Sequence, residues 1–99
     1  SYSISKAAAI QYIRNIAVEH GAHNIRANSI APGLTRTAMA KGLIEDPAAL
    51  ARELSRSTVG RMGEPDEIAG AAVFLASEAG SYVNGQNIAV DGGMTIRYD

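Results

Sequence analysis

Asn24-Ile25-Arg26-Ala27-Asn28-Ser29-Ile30-Ala31-Pro32-Gly33 is the stretch on which the fold turns. Ile25, Ala27 and Ile30 supply its apolar residues, a glycine-containing turn precedes it, and Pro32-Gly33 stops it. It therefore reads as a buried strand over Asn24 to Ala31. The residues before it have another rhythm. From Ser5 to about His20 there is no Gly or Pro, three alanines stand together, and Ile10, Ile13, Ile16 and Ala17 recur at helical spacing until Gly21 ends the predicted helix. Ala9, Ile13 and Ala17 make one apolar face, and Ala8, Tyr12 and Ile16 a second beside it. That breadth predicts cover on two sides, by a sheet and by a neighbouring subunit.

Beyond Gly33 the segment Leu34 to Gly42 has mixed character, and Asp46 is placed to cap a helix that begins at Pro47 and runs to about Ser57. Gly60 and Gly63 mark a loop. Pro65-Asp66-Glu67 then repeats the helix-start signal, with a helix expected to about Ser77, a loop over Gly80 to Gly85, and a second short strand over Gln86 to Val90 closed by Asp91-Gly92-Gly93. Helix, strand, helices, strand is an α/β order, and strands separated by helices are expected to run parallel through a right-handed crossover. Two strands do not cover both faces of these helices. The strand at Ile25 to Ala31 is thus expected to have a bare edge open to another chain, and self-association is predicted.

The chain has 99 residues, 46% of them apolar, which suffices for one small domain or part of one. Nine Lys plus Arg against ten Asp plus Glu give a net charge of −1 and no basic run, so nucleic-acid binding is not expected. Absence of cysteine removes disulfide and thiolate chemistry and fits a reducing cytoplasm. Ile68 to Ala76, the longest apolar stretch, is interrupted by Gly70 and falls short of the ~20 residues that cross a bilayer. No membrane partner is expected. His20 and His23 are too few for a metal cage by themselves and read as exposed residues around a helix end.

Chemistry is concentrated at Tyr2-Ser3-Ile4-Ser5-Lys6. On a helix Tyr2 and Lys6 are four apart and share a face, so an ammonium can act near a phenol or bind a third group with it. A phenol has a reference pKa of about 10, and a neighbouring cation favours the phenolate, moving the group toward neutrality. Such a phenol can give a proton to the alkoxide that forms when hydride reaches a carbonyl. The spacing by itself is common in proteins.

Taken as a series, Tyr2-Ser3-Ile4-Ser5-Lys6-Ala7-Ala8, Asn28-Ser29-Ile30-Ala31-Pro32-Gly33, Thr37, Asn84-Gly85-Gln86 and Val90-Asp91-Gly92-Gly93 resemble the short-chain dehydrogenase/reductase family across nearly all of the chain. The resemblance implies the C-terminal part of a Rossmann-like, doubly wound parallel sheet. No Gly-rich turn precedes Tyr2 and the first residue is not Met, so the N-terminal nucleotide-binding half is expected to be missing, with residues 1–99 a C-terminal fragment of a single NAD(P)-binding domain. It also implies an oxidoreductase that interconverts an alcohol and a ketone with NAD or NADP. In that scheme Tyr2 is the general acid/base, and Lys6 bonds the nicotinamide ribose and lowers the tyrosine pKa. Pro32 and Gly33 lie against the nicotinamide ring, the backbone of Thr35 bonds the carboxamide, and the Thr37 hydroxyl bonds the carboxamide or a phosphate.

The segment from about 34 to 60 matches the family's substrate-covering region. Met39, Leu43, Leu50 and Leu54 within it read as pocket lining or as ordinary packing. Pro32-Gly33 also reads as a plain strand-ending turn, Arg36 as a solvated surface charge in preference to a contact for an anionic substrate group or cofactor phosphate, Asn28 as a loop-fixing side chain and Asp91-Gly92-Gly93 as structural. The family serine and asparagine lie upstream of the tyrosine, and Ser1, Ser3 and Ser5 do not replace them. The first helix and strand resemble those of bacterial hydroxysteroid and sugar dehydrogenases without naming a substrate. Dimers or tetramers are the assembly the resemblance implies. A rival reading is a non-catalytic α/β fragment that assembles with itself and is inactive without a nucleotide-binding half.

Overall fold

Alanine-rich sequence without a breaker sets the first element: α1 runs Tyr2–His20, three residues further toward the N-terminus than expected. The computed structural model describes residues 2–96, without the side chains of Tyr2 and Ser3. A short 3₁₀ turn, Gly21–His23, ends α1, and Asn24 takes a left-handed conformation (φ 61°) with its N–H donating to the Gly21 carbonyl. The chain then forms β1 (Ser29–Pro32), a 3₁₀ turn at Ala38–Ala40, α2 (Lys41–Ile44), α3 (Pro47–Leu54), α4 (Pro65–Ala76) and β2 (Asn87–Val90).

β1 and β2 pair as a two-stranded sheet. Ser29 N–H donates to the Gln86 carbonyl at 2.8 Å and Gly33 N–H to the Val90 carbonyl at 3.0 Å; both strands advance four residues between these bonds, so they are parallel, as expected. Two compact units divide the chain. One holds residues up to Ile30 with Ala72–Ile88, and the other holds Ala31–Ala71 with the chain from Ala89 onward.

In the first unit the strand is shorter than its sequence suggests: residues 25–28 meet the loop after α4 through one backbone bond, Gly85 N–H to the Ala27 carbonyl at 2.8 Å, and otherwise through side chains. Arg26 donates to the carbonyls of Gly80 (2.7 Å) and Val83 (3.2 Å), and Asn28 donates to Val83 O and accepts from Gln86 N–H. Asn84 closes the arrangement by accepting from Ala27 N–H and donating to the Ala17 carbonyl. Ala17 is buried against this loop, and Leu75 of α4 is buried too. Only one stripe of α1 is covered. Ile10, Ile13 and Ile16 are half-buried, whereas Tyr12 and Val18 on the remaining surface are 65% and 84% exposed.

In the second unit Ala31 and Met62 are buried. α3 starts as its sequence directs: the Asp46 carboxylate accepts from Ala49 N–H at 3.2 Å and Pro47 takes the first turn. α4 has a different cap. Glu67 reaches back to accept from Glu64 N–H at 2.9 Å, and the same carboxylate grips Arg61 through two bonds of 2.8 and 2.9 Å.

Candidate functional site

The first unit carries the Tyr2 and Lys6 positions in the opening turns of α1, four residues apart on one helix, which is the helical placement their spacing predicts. The Tyr2 side chain lies outside the described residues. Lys6 is half-buried.

The second unit carries Pro32 as the last residue of β1, with Gly33, Thr35 and Thr37 in the segment that follows. Gly33 has a packing reason to be glycine: a Cβ there would stand 2.6 Å from Asp91 Cα and 2.8 Å from Asp91 Cβ. Thr35 forms an isolated parallel bridge with Gly63. Gly63 N–H donates to the Leu34 carbonyl and Arg36 N–H to the Gly63 carbonyl, each at 2.9 Å. Peptide groups alternate sides along an extended chain, so the N–H and C=O of Thr35 face the opposite edge. The Thr35 hydroxyl donates to Gly33 O at 3.0 Å. One donor beside one acceptor matches the amide and carbonyl of a primary carboxamide in number and sense. Thr37 is extended (φ −132°, ψ 171°), and its carbonyl accepts from Ala40 N–H as the next 3₁₀ turn begins.

Arg36 is a surface charge, as read from sequence, and it also has a partner: its Nε donates to Glu64 Oε2 at 3.0 Å, with both side chains about half exposed. Asn28 fixes its loop, as read. The Asp91 carboxylate bonds the N–H groups of Gly93 and Thr95, each at 3.0 Å. Burial pushes this acid up, but the Thr95 hydroxyl and those N–H groups outweigh burial and hold it below the ordinary carboxylate value. Gly92 and Gly93 both have positive φ, and the Gly92 carbonyl accepts from the Ser57 and Thr58 hydroxyls and from Val59 N–H. This turn therefore staples the end of the 34–60 region, a structural role in keeping with its reading.

An apolar cavity of about 180 Å³ lies in this unit, lined among others by Leu34, Leu54, Val59, Ile68, Val90 and Met94. Of the four residues weighed as pocket lining, only Leu54 reaches it; Met39 is almost fully exposed. Sequence reading missed Ser57, Glu64 and Gly63. Their partners are remote along the chain, and only the doubled Gly60 and Gly63 hinted that the loop is bent for a purpose.

A family profile described as enoyl-(acyl carrier protein) reductase matches residues 1–95. The chain belongs to the short-chain dehydrogenase/reductase family. The chain is 46% identical over 95 residues to 5-keto-D-gluconate 5-reductase of Escherichia coli, covering 96% of itself and 37% of that protein. To a tropinone reductase homolog of Arabidopsis thaliana it is 43% identical, over 96% of itself and 35% of the relative. The chain thus spans little more than a third of these curated relatives. Among solved structures, a candidate 2-deoxy-D-gluconate 3-dehydrogenase from Agrobacterium tumefaciens with bound NADP superposes with TM-score 0.92 at 40% identity, over 98% of this chain and 39% of that one. A 4-hydroxyisoleucine dehydrogenase complexed with NADH gives TM-score 0.93 at 32% identity, over 98% and 40% of the two chains. The Rossmann-like α/β class is therefore that of the family.

Proposed function

We propose that this chain is the C-terminal part of an NAD(P)-binding domain and that it supplies the proton-transfer residues of an oxidoreductase interconverting an alcohol and a ketone. The observation that carries this is Tyr2 and Lys6 one helical turn apart at the start of α1, in a chain matched to the family over residues 1–95. The NADP- and NADH-bound relatives support NAD(P) as the cofactor. When bound, the cofactor supplies or accepts the hydrogen and electron pair exchanged at the substrate carbon.

The chain's own residues handle the proton and the placement. In reduction the Tyr2 phenol gives its proton to the carbonyl oxygen as that oxygen becomes an alcohol, and in oxidation the phenolate takes the proton back. Lys6 favours the phenolate by its charge and bonds the nicotinamide ribose. Pro32 and Gly33 lie beside the nicotinamide, Thr35 receives the carboxamide on its peptide edge, and the Thr37 hydroxyl bonds the carboxamide or a phosphate. A cytoplasmic homo-oligomer acting on a small molecule completes the reading. Among the described residues no helix is long and apolar enough to cross a membrane.

Replacing Tyr2 by Phe removes the proton donor and is expected to lower kcat by about 10²–10⁴ while NAD(P)H binding, followed by cofactor fluorescence, persists. Unchanged kcat would defeat the catalytic assignment. A second reading, an inactive fragment that assembles with itself, draws support from the exposed Tyr12 and Val18 along α1. Turnover of NAD(P)H with a ketone by the 99-residue chain alone would dismiss it.

A further inference from the structure

We propose that Glu64 is a positioning residue for the nicotinamide end of the cofactor, acting through Arg36 on the Thr35 peptide edge. The inference rests on the cofactor reading above. Its starting point is that the 33–37 segment is held at Thr35 by a single bridge, two backbone bonds between Leu34, Arg36 and Gly63, with no longer ladder to share the load. The segment is anchored at its start by Gly33 N–H on the Val90 carbonyl and at its end by the Thr37 carbonyl, and between these only the two bridge bonds set the tilt of Thr35. The Arg36 to Glu64 bond at 3.0 Å lies one residue further along on both segments and gives the pair a third point of attachment.

Glu64 is itself held firmly. Its N–H donates to Glu67 Oε1 at 2.9 Å, and the Glu67 carboxylate also takes the forked pair of bonds from Arg61. Arg61 Nη1 in turn donates to the Met62 carbonyl at 3.0 Å. The start of α4 thus fixes residues 61–64, and Gly63 and Glu64 pass that restraint to Thr35 by a backbone bridge and an ion pair. An edge that must meet a planar amide with one donor and one acceptor tolerates little tilt, because displacements of about 1 Å weaken such placement markedly. Arg36 is in this scheme a strut and not an anion site: its Nε is engaged by Glu64, which offsets its charge.

The test compares two ligands on the protein carrying this chain: NADH, and ADP-ribose, which lacks the nicotinamide. Isothermal titration is expected to show Glu64→Ala binding NADH about two- to fivefold more weakly, the range open to a half-exposed ion pair, with ADP-ribose unaffected. The double exchange Arg36→Glu with Glu64→Arg, which restores the pair in reverse, is expected to recover most of the NADH affinity. Equal weakening for both ligands, or no recovery in the double exchange, would overturn the positioning role, as would NADH binding untouched by Glu64→Ala. Should the unaltered protein bind neither ligand, the cofactor reading falls and this inference falls with it.

Discussion

Gly33 is set by its neighbour's backbone. With Asp91 Cα 2.6 Å from where a Cβ would stand, Gly33→Ala forces one of two hydrogen-bonded segments to move. The expected cost is about 1–3 kcal/mol, the usual range for overpacking, and urea unfolding of the variant against the unaltered chain measures it. A loss near zero would mean that the 33 and 91 segments part easily. At this scale the placement of Tyr2 and Lys6 one turn apart on α1 was legible, since a four-residue spacing on a helix needs no knowledge of the fold. Asn28 and Asp91 were legible as structural residues. The partnership of Arg36 with Glu64, 28 residues away, was not, because a charge in a sequence carries no address for its counter-charge.

The elements with local start signals are the ones sequence predicts well. α3 and α4 begin at Pro47 and Pro65 as expected and stop within three residues of expectation. The α4 start also carries a pH dependence. The two bonds from Arg61, with the Glu64 N–H, hold the Glu67 acid down at about 2, below the ordinary value of about 4.3. A depressed acid stabilises the fold above its unfolded pKa, and that contribution fades as pH falls through the folded value. Urea midpoints of the unaltered chain are therefore expected to drop relative to Glu67→Gln between about pH 4.3 and pH 2. A constant difference between the two from pH 6 to pH 2 would contradict the pairing. β1 shows the opposite case: residues 26–28 have strand-like composition, yet they meet the 80–86 loop mostly through the side chains of Arg26, Asn28 and Asn84, beside one backbone bond from Gly85 to Ala27.

For the whole molecule the decisive quantity is apolar surface left uncovered. Tyr12 and Val18 on α1 stand 65% and 84% exposed, and four apolar side chains, Ala17, Ala31, Met62 and Leu75, are buried among the described residues. So small a core stabilises a chain of this size weakly, and burying the exposed Tyr12 side of α1 against another copy adds to it. Sedimentation velocity at micromolar concentration is expected to find assemblies larger than a monomer, and Tyr12→Glu is expected to shift them toward smaller species. A single monomer boundary for the unaltered chain would count against self-association.

Sequence alone determined the α/β order, the parallel pairing of the strands, the starts of α3 and α4, the family, and the helical register that sets Tyr2 and Lys6 one turn apart. Most of these rest on interactions within a few residues or on motifs read in a line, and the strand pairing rests on the general rule for strands joined through helices. Tertiary structure alone decided that Thr35 turns its peptide edge away from Gly63, that Gly33 is fixed by Asp91, and that Glu64 braces Arg36. Those depend on bonds between segments that meet only after the chain has folded, and no local pattern encodes which segments will meet.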